Sequence, residues 1–301
     1  MNIVGRKSIY LSVSGILVLA AILAIGIWGF KEGIDFKGGA LLSFSANVNS
    51  DQAQIIQSIF VNDLKLGDTR VNYDSQNNNF LARLPEVDEA NHQKITIELT
   101  NKLPKYEELS FQSIGPSVGA ALKNSSIIAL ILVLVGISLY IAFAFRKVFR
   151  PISSWKYGWI TLLTLFHDVL IPAGLLAVLG HYKGIEIDGN FVVALLVVMG
   201  FSVHDTIVVF DRIRENLLLD RGKSDFGTVI NTSVNQTIAR SINTSLTLIL
   251  VLLALYFVGP VTLKFFILTL LVGVTTGIYS SIFVASPLLH LWQHGVRSRT
   301  I

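Results

Sequence analysis

Six stretches of this chain are each apolar for about 20 residues, the length that carries an α-helix through roughly 30 Å of hydrocarbon at 1.5 Å per residue. They run from Ile9 to Trp28, Ser126 to Phe145, Trp159 to Leu179, Phe191 to Phe210, Ser241 to Val258 and Phe265 to Leu289. With 52% hydrophobic and only 15% charged residues among 301, the composition is not that of a soluble chain. The sequence contains no cysteine, which excludes disulfides, thiolate metal sites and thiol nucleophiles. Arg6 and Lys7 precede the first stretch in the manner of a signal peptide. Its apolar run is too long for a signal core and ends in no small-x-small cleavage site, so an uncleaved anchor is expected.

The basic residues set an expected orientation. Arg6 and Lys7 lie before the first span, Arg146, Lys147, Arg150 and Lys156 after the second, Arg212, Arg214, Arg221 and Lys223 after the fourth, and Arg297 and Arg299 after the sixth. Six spans with both termini cytoplasmic put all four clusters on one side, and the net charge of +4 is explained there rather than by nucleic-acid binding. The expected organisation is an N-terminal tail and first helix over 1–30, an extracytoplasmic domain over 31–122, and a five-helix membrane domain over 123–301. The outward domain carries eight Lys/Arg and twelve Asp/Glu, net −4, against +8 for the remainder.

Within that domain, 40–45 reads as a strand and 51–64 as a helix with Ser50 and Asp51 available as caps. Strands over 69–73 and 80–84 flank an Asp-Ser-Gln-Asn-Asn-Asn turn; a helix over 89–103 is closed by Pro104, and a strand follows over 109–114. The order strand, helix, strand, strand, helix, strand predicts a small ferredoxin-like α+β domain. The fold class expected is thus a polytopic α-helical membrane protein of six transmembrane helices plus this domain.

Asp205 interrupts the fourth span, roughly 7 Å from its cytoplasmic end. An ionisable group at such depth costs several kcal/mol unless it faces protein or water, and is a functional candidate for that reason. Arg240 heads the antiparallel fifth span at similar depth, so a direct interaction with ionised Asp205 is expected. Apolar surroundings favour the neutral acid and a guanidinium favours the carboxylate, a balance suited to taking up and releasing a proton. A static ion pair is the bland alternative. Ser202, His204 and Thr206 flank the acid, and Asn243, Thr244, Ser245 and Thr247 continue the fifth span. They suit a hydrated path or helix–helix hydrogen bonding. His204 lies about 100° around the helix from Asp205, which gives it either a relay or a packing role. His167 and Asp168 repeat the pair in the third span, with no basic partner in the local sequence. No i, i+4 ligand pair points to a metal.

Four segments resemble the SecF family of bacterial protein-export membrane proteins, within the resistance-nodulation-division superfamily. They are Gly33-Ile-Asp-Phe-Lys-Gly-Gly39, Ile114-Gly-Pro-Ser-Val-Gly119, the run from His204 through Asp-Arg-Ile-Arg-Glu to Asn216, and Asn235-Gln-Thr-Ile-Ala-Arg240 with Asn243-Thr-Ser245. The resemblance implies an auxiliary subunit of Sec-dependent translocation in the cytoplasmic (inner) membrane, without enzymatic chemistry or cofactor and with protons as coupling ion. The implied partners are SecD, the Sec translocation channel, YajC, the exported polypeptide and membrane lipid, with no nucleic acid. It implies proton coupling at Asp205 and Arg240, completed by an acid of SecD. Thr206, His204, Asn243, His167 and Asp168 remain candidates for the relay or its polar lining. Gly33, Gly38, Gly39, Gly115 and Pro116 read as backbone devices, and Asp35 and Lys37 as solvated charges. No phosphate-binding loop of the Gly-x-x-x-x-Gly-Lys-Ser/Thr type is present, so ATP is not the expected fuel. The segment from Arg212 to Asn235 is expected to hold a short amphipathic helix at the membrane surface. A proton-driven exporter of a small molecule or lipid, and a non-catalytic scaffold, are the competing readings.

Overall fold

The computed structural model describes residues 2–48, 52–67, 69–74, 78–146 and 153–297. The Ser50 and Asp51 caps, the centre of the 74–79 turn, Lys147, Arg150 and Arg299 lie outside the described residues. The chain divides into two compact units: residues 1–31, 128–185 and 190–301 form one, and residues 32–127 with 186–189 the other. The second therefore extends beyond the expected 31–122, taking in the first turns of a long helix and a four-residue segment far along the chain.

The sheet unit is built from the short helix α2 (Ile34–Lys37), β1 (Gly39–Ser45), α3 (Ala53–Ser58, continued by a π-helical turn Ile59–Asp63), β2 (Arg70–Asp74), β3 (Asn79–Leu84), α4 (Glu89–Lys102) and β4 (Glu107–Ile114). The four strands pair antiparallel in the order β2-β3-β1-β4. Alternation sets the register: Ala40, Leu42 and Phe44 stand opposite Leu84, Ala82 and Phe80, and all six are buried. Phe60 of the π-helical turn and Ile95 and Leu99 of α4 close the core over them. Asp88 caps α4, its side chain accepting from the Asn91 N–H at 2.9 Å.

Two separate sequence motifs meet in this unit. Gly38 and Gly39 have φ of +78° and +123°, and a Cβ on Gly38 would come within 2.8 Å of Pro116. A Cβ on Gly119 would lie 2.9 Å from the Phe36 carbonyl oxygen. The glycines are needed because the chain turns and two backbones touch. Asp35, expected as a solvated charge, is instead half-buried, its Oδ2 accepting from the Gly189 N–H at 2.7 Å. Gly33 donates to the Ile187 carbonyl at 2.9 Å, and Arg83 forms an ion pair with Glu186.

The membrane unit contains α1 (Lys7–Trp28), most of α5 (Pro116–Ala144), α6 (Ser154–Lys183), α7 (Gly189–Asp220 from its second residue), α8 (Phe226–Val258), α9 (Lys264–Ser280), a π-helical turn Ser281–Ala285, and α10 (Ser286–Arg297). Among the described residues six helical segments are long and apolar enough to cross a membrane, the last running continuously from Lys264 to Gln293. The helical form follows from the solvent: in hydrocarbon every backbone N–H and C=O must be satisfied within the segment.

The expected surface helix within 212–235 is not a separate element. α7 continues to Asp220, Arg221 and Gly222 turn the chain at φ of 50° and 79°, and α8 starts at Phe226, with the Asp225 side chain accepting from the Gly227 N–H. Polar bonds hold the two helices together past the apolar span. Arg212 Nε donates to Gln236 Oε1 at 2.7 Å, and Asn216 donates to both Ser233 and Gln236 at 2.8 Å.

Small residues bring the helices of the membrane unit together. A Cβ on Gly174 of α6 would fall 2.5 Å from Ala21 of α1, and one on Gly273 of α9 would fall 2.2 Å from Val198 of α7. One turn further, a Cβ on Gly277 would sit 3.2 Å from Ser202. Gly273 and Gly277 are spaced as a Gly-x-x-x-Gly pair, which allows close backbone approach where lipid supplies no hydrophobic drive. Gly273→Ala should therefore destabilise the protein by about 1–3 kcal/mol, as overpacking does. Thermal unfolding in detergent should show a lowered midpoint, recovered in part by adding Val198→Ala. Gly26→Ala, where a Cβ meets nothing within 4 Å, should leave the midpoint unchanged.

Candidate functional site within the membrane helices

α7 carries polar residues to two sides of itself. Asp205 is 3% exposed and faces α8, where Ser241 and Ser245 stand next to its carboxylate. These groups do not close a hydrogen-bonded set: Asp205 Oδ2, Ser241 Oγ and Ser245 Oγ are all buried, and the two hydroxyls approach the carboxylate without completing a well-formed hydrogen bond. Buried polar atoms normally find partners, and an orphan costs about 1–3 kcal/mol. The arrangement can take up a proton, a water or a polar group of another chain without breaking an existing bond.

Arg240 lies one residue from Ser241 along α8, but on a different face. Among the described residues no ion pair joins it to Asp205, and it is exposed. The expected direct interaction is thus absent: a residue step turns a helix by about 100°, so a helix offering Ser241 and Ser245 to Asp205 turns Arg240 outward. Asn243, Thr244 and Thr247 are exposed too. With Arg240 they follow i, i+3, i+4 and i+7, a polar stripe along a helix whose other exposed residues include Ile242, Leu246 and Leu250. Thr244 bonds back to the Arg240 carbonyl at 3.0 Å, and Thr247 to that of Thr244 at 2.7 Å. His204 is exposed.

On its other side α7 meets α6 and α9. Asp168 is fully buried, with Oδ1 2.7 Å from His167 Nδ1. Its Oδ2 accepts from Ser202 of α7 at 2.5 Å and from Ser280 of α9 at 2.7 Å. Thr206 lies 3.1 Å from Ser281, where α9 gives way to the π-helical turn. Asp168 has partners after all, but they stand 34 and 112 residues away along the chain. Ser280 and Ser281 were missed as site residues; a polar Tyr-Ser-Ser run within an apolar span was the available signal. Gly33, Asp35, Gly38, Gly39, Gly115 and Pro116 belong to the sheet unit and not to this site. Among the described residues no three His, Asp or Glu side chains converge to hold a metal.

The family model for the protein export membrane protein SecD/SecF, C-terminal, matches residues 94–295. The protein translocase subunit SecF of Thermobaculum terrenum is 41% identical over 98% of this chain and 94% of its own length. That of Anaerolinea thermophila is 36% identical over 98% and 95%. The chain belongs to the SecF family. Among solved structures, the translocon-associated membrane protein SecDF from Thermus thermophilus superposes with a TM-score of 0.82 at 30% identity. The match covers 98% of this chain but only 39% of that one. SecDF in its super-membrane-facing form gives a TM-score of 0.71 at the same identity. As a SecF-family chain the protein is a membrane-embedded subunit of the protein-export machinery. The acid and its two serines, the outward arginine and the Asp168 cluster all fall within the segment that the family model covers.

Proposed function

We propose that this SecF-family chain works with SecD to promote export of preproteins across the cytoplasmic (inner) membrane, driven by the proton-motive force. Asp205 is the proton-binding group, and Arg240, on the outward face of α8, is its electrostatic counterpart toward the subunit boundary. The observation that carries this reading is the unclosed hydrogen bonding between Asp205 and α8, beside an outward-facing guanidinium at membrane depth. A carboxylate already fully bonded to its own chain would have to break bonds to accept a proton. An arginine facing lipid costs about 2.5–3.5 kcal/mol at mid-span on insertion scales, so a partner chain supplying an acid accounts for its exposure.

One proton moving through about 100 mV releases roughly 2.3 kcal/mol, enough to change a two-state population ratio by roughly fiftyfold. Release of the proton toward the cytoplasm would bias α8 against α7 without covalent chemistry or a cofactor. The SecDF neighbours, in which the counterpart of this chain is part of a longer one, support SecD as the partner. The Sec translocation channel, YajC, the exported polypeptide and lipid complete the proposed surroundings. The sheet unit is read as a ferredoxin-like domain on the extracytoplasmic side, supported by its strand order and by one helix in each crossover. Both termini are placed in the cytoplasm on the distribution of basic residues.

Vesicles carrying the complete complex test the coupling. Asp205→Asn should reduce gradient-stimulated export at least tenfold while leaving complex assembly and gradient-independent export intact, and Arg240→Lys should reduce it less. Undiminished gradient-stimulated export by Asp205→Asn at normal complex levels would end this reading. Orientation has its own check, since the natural chain has no cysteine. In intact spheroplasts a membrane-impermeant maleimide should label Ser110→Cys and not Ser224→Cys, and the reverse pattern would invert the topology.

A further inference from the structure

Asp168 takes no part in the proposed chemistry at Asp205, yet it is fully buried and joins three helices through one carboxylate. An ionised carboxylate only accepts, so in that state His167 Nδ1–H, Ser202 Oγ–H and Ser280 Oγ–H all donate to it. A second pattern is available to the same atoms. The Ser280 hydroxyl also lies 3.1 Å from the Gly277 carbonyl, so it can turn away from Asp168 and still be satisfied. That leaves room on Oδ2 for a proton without orphaning a donor. Ser202 has no such alternative among its recorded bonds, so it stays with Asp168 in either state.

The surroundings fit a group that changes state. Ser280 is the last residue of α9 before the π-helical turn Ser281–Ala285, a local irregularity common at functional sites. His167 Nε2 is buried without a hydrogen-bond partner, so the ring has an unused position for a second proton. The ionisable groups around the pair can be named helix by helix. α6 supplies His167 itself; α9 supplies Tyr279, whose ring lies 6.4 Å from that of His167 and whose hydroxyl donates to the Tyr10 carbonyl of α1. α7 supplies Asp205, which lies beyond Ser202 and faces α8. Among the described residues no lysine or arginine forms an ion pair with Asp168.

We propose that His167 and Asp168 form a second protonation site, whose state sets how firmly α7 is latched to α6 and α9. With three donors on the carboxylate, α9 is tied through Ser280 to the turn of α7 that precedes Asp205. With the acid protonated and Ser280 turned to Gly277, that tie is released, and α7 keeps its bond to α6 through Ser202 and its contact with Ser281 through Thr206. Ser202 stands three residues, about 4.5 Å of helix rise, from Asp205. The latch therefore governs the helix that carries the coupling acid. Only the use made of this movement rests on the proton-coupled reading of Asp205; the existence of the site does not.

Infrared difference spectra of the purified complex with SecD, recorded across pH, test the site directly through the C=O stretch of a protonated carboxylic acid. Wild type and Asp205→Asn should share a titrating band that Asp168→Asn lacks. Ser280→Ala, which takes one donor from the carboxylate, should move the midpoint of that band by about one pH unit. The proposal is overturned if Asp168→Asn leaves the spectrum unchanged. It is equally overturned if Ser280→Ala, in a normally assembled complex, leaves the midpoint in place. Gradient-stimulated export adds a functional arm: Asp168→Asn should alter its pH profile and Asp168→Glu should restore it, whereas a purely structural role predicts a uniform loss at every pH. Retention of the Asp168 band alongside full coupling in Asp205→Asn would remove the coupling role of Asp205 and leave the second site standing.

Discussion

The close approach of α7 and α9 is the contact on which the rest of the membrane unit depends. No side chain separates the helices at Gly273 and Gly277, which lets Val198 and Ser202 come against the α9 backbone. Lipid tails are as apolar as leucine, so helix association in a bilayer draws on such packing and on interhelical hydrogen bonds. Here the two coincide. The same missing side chains that permit contact also bring Ser202 and Ser280 to one carboxylate oxygen of Asp168. A bulkier α9 would lose the packing and would leave a fully buried acid short of donors, at a further cost of several kcal/mol.

This makes α7 asymmetric. Toward α6 and α9 its polar residues are bonded, Ser202 to Asp168 and Thr206 to Ser281. Toward α8, Asp205 Oδ2 and the hydroxyls of Ser241 and Ser245 are buried next to one another without a completed hydrogen bond. Outside the apolar span, α7 and α8 are tied again by Arg212, Asn216, Ser233 and Gln236. α8 is thus hinged at one end of its shared boundary with α7 and loosely bonded at the level of the acid. The segment from His204 to Asn216 carries both properties, with Asp205 near its start and the hinge bonds near its end.

The sequence made the spans legible because length and hydropathy alone decide them. It also made the sheet unit legible, because alternation at 40–45 and 80–84 and a helical stripe at 89–103 are local signals. Rotation about a helix axis was not legible. Depth placed Arg240 level with Asp205, but which face meets which neighbour depends on packing from the whole unit, and α8 offers Ser241 instead. Asp35 looked solvated because its partner, the Gly189 N–H, lies 154 residues away. The continuation of α7 to Asp220 was hidden for a different reason. Its polar residues stabilise the helix with pairs such as Arg212–Glu215 and Asp211–Arg214, a pattern that reads from sequence as a surface element. The π-helical turns at 59–63 and 281–285 leave no local signature of comparable strength.

An exposed polar stripe on α8 and an unsatisfied acid on its opposite side pose one physical problem. Arg240, Asn243, Thr244 and Thr247 cannot all be served by hydrocarbon, and their hydroxyls are already turned back onto the helix. Moving Arg240 inward would pair it with Asp205 but would rotate Ser241 and Ser245 out and bring more of the polar stripe into the bundle. Keeping it outward leaves the guanidinium to be neutralised by something beyond this chain. Under the proposed function that neutralising group is an acid of the partner subunit, and α8 is the wall between two half-sites. A proton on Asp205 would then be felt across α8 as a change in the field at Arg240, through a helix that has few bonds to break at that level. The loose side of α7 and the outward arginine are on this reading two faces of one device, set against the more fully bonded side of α7 at Asp168.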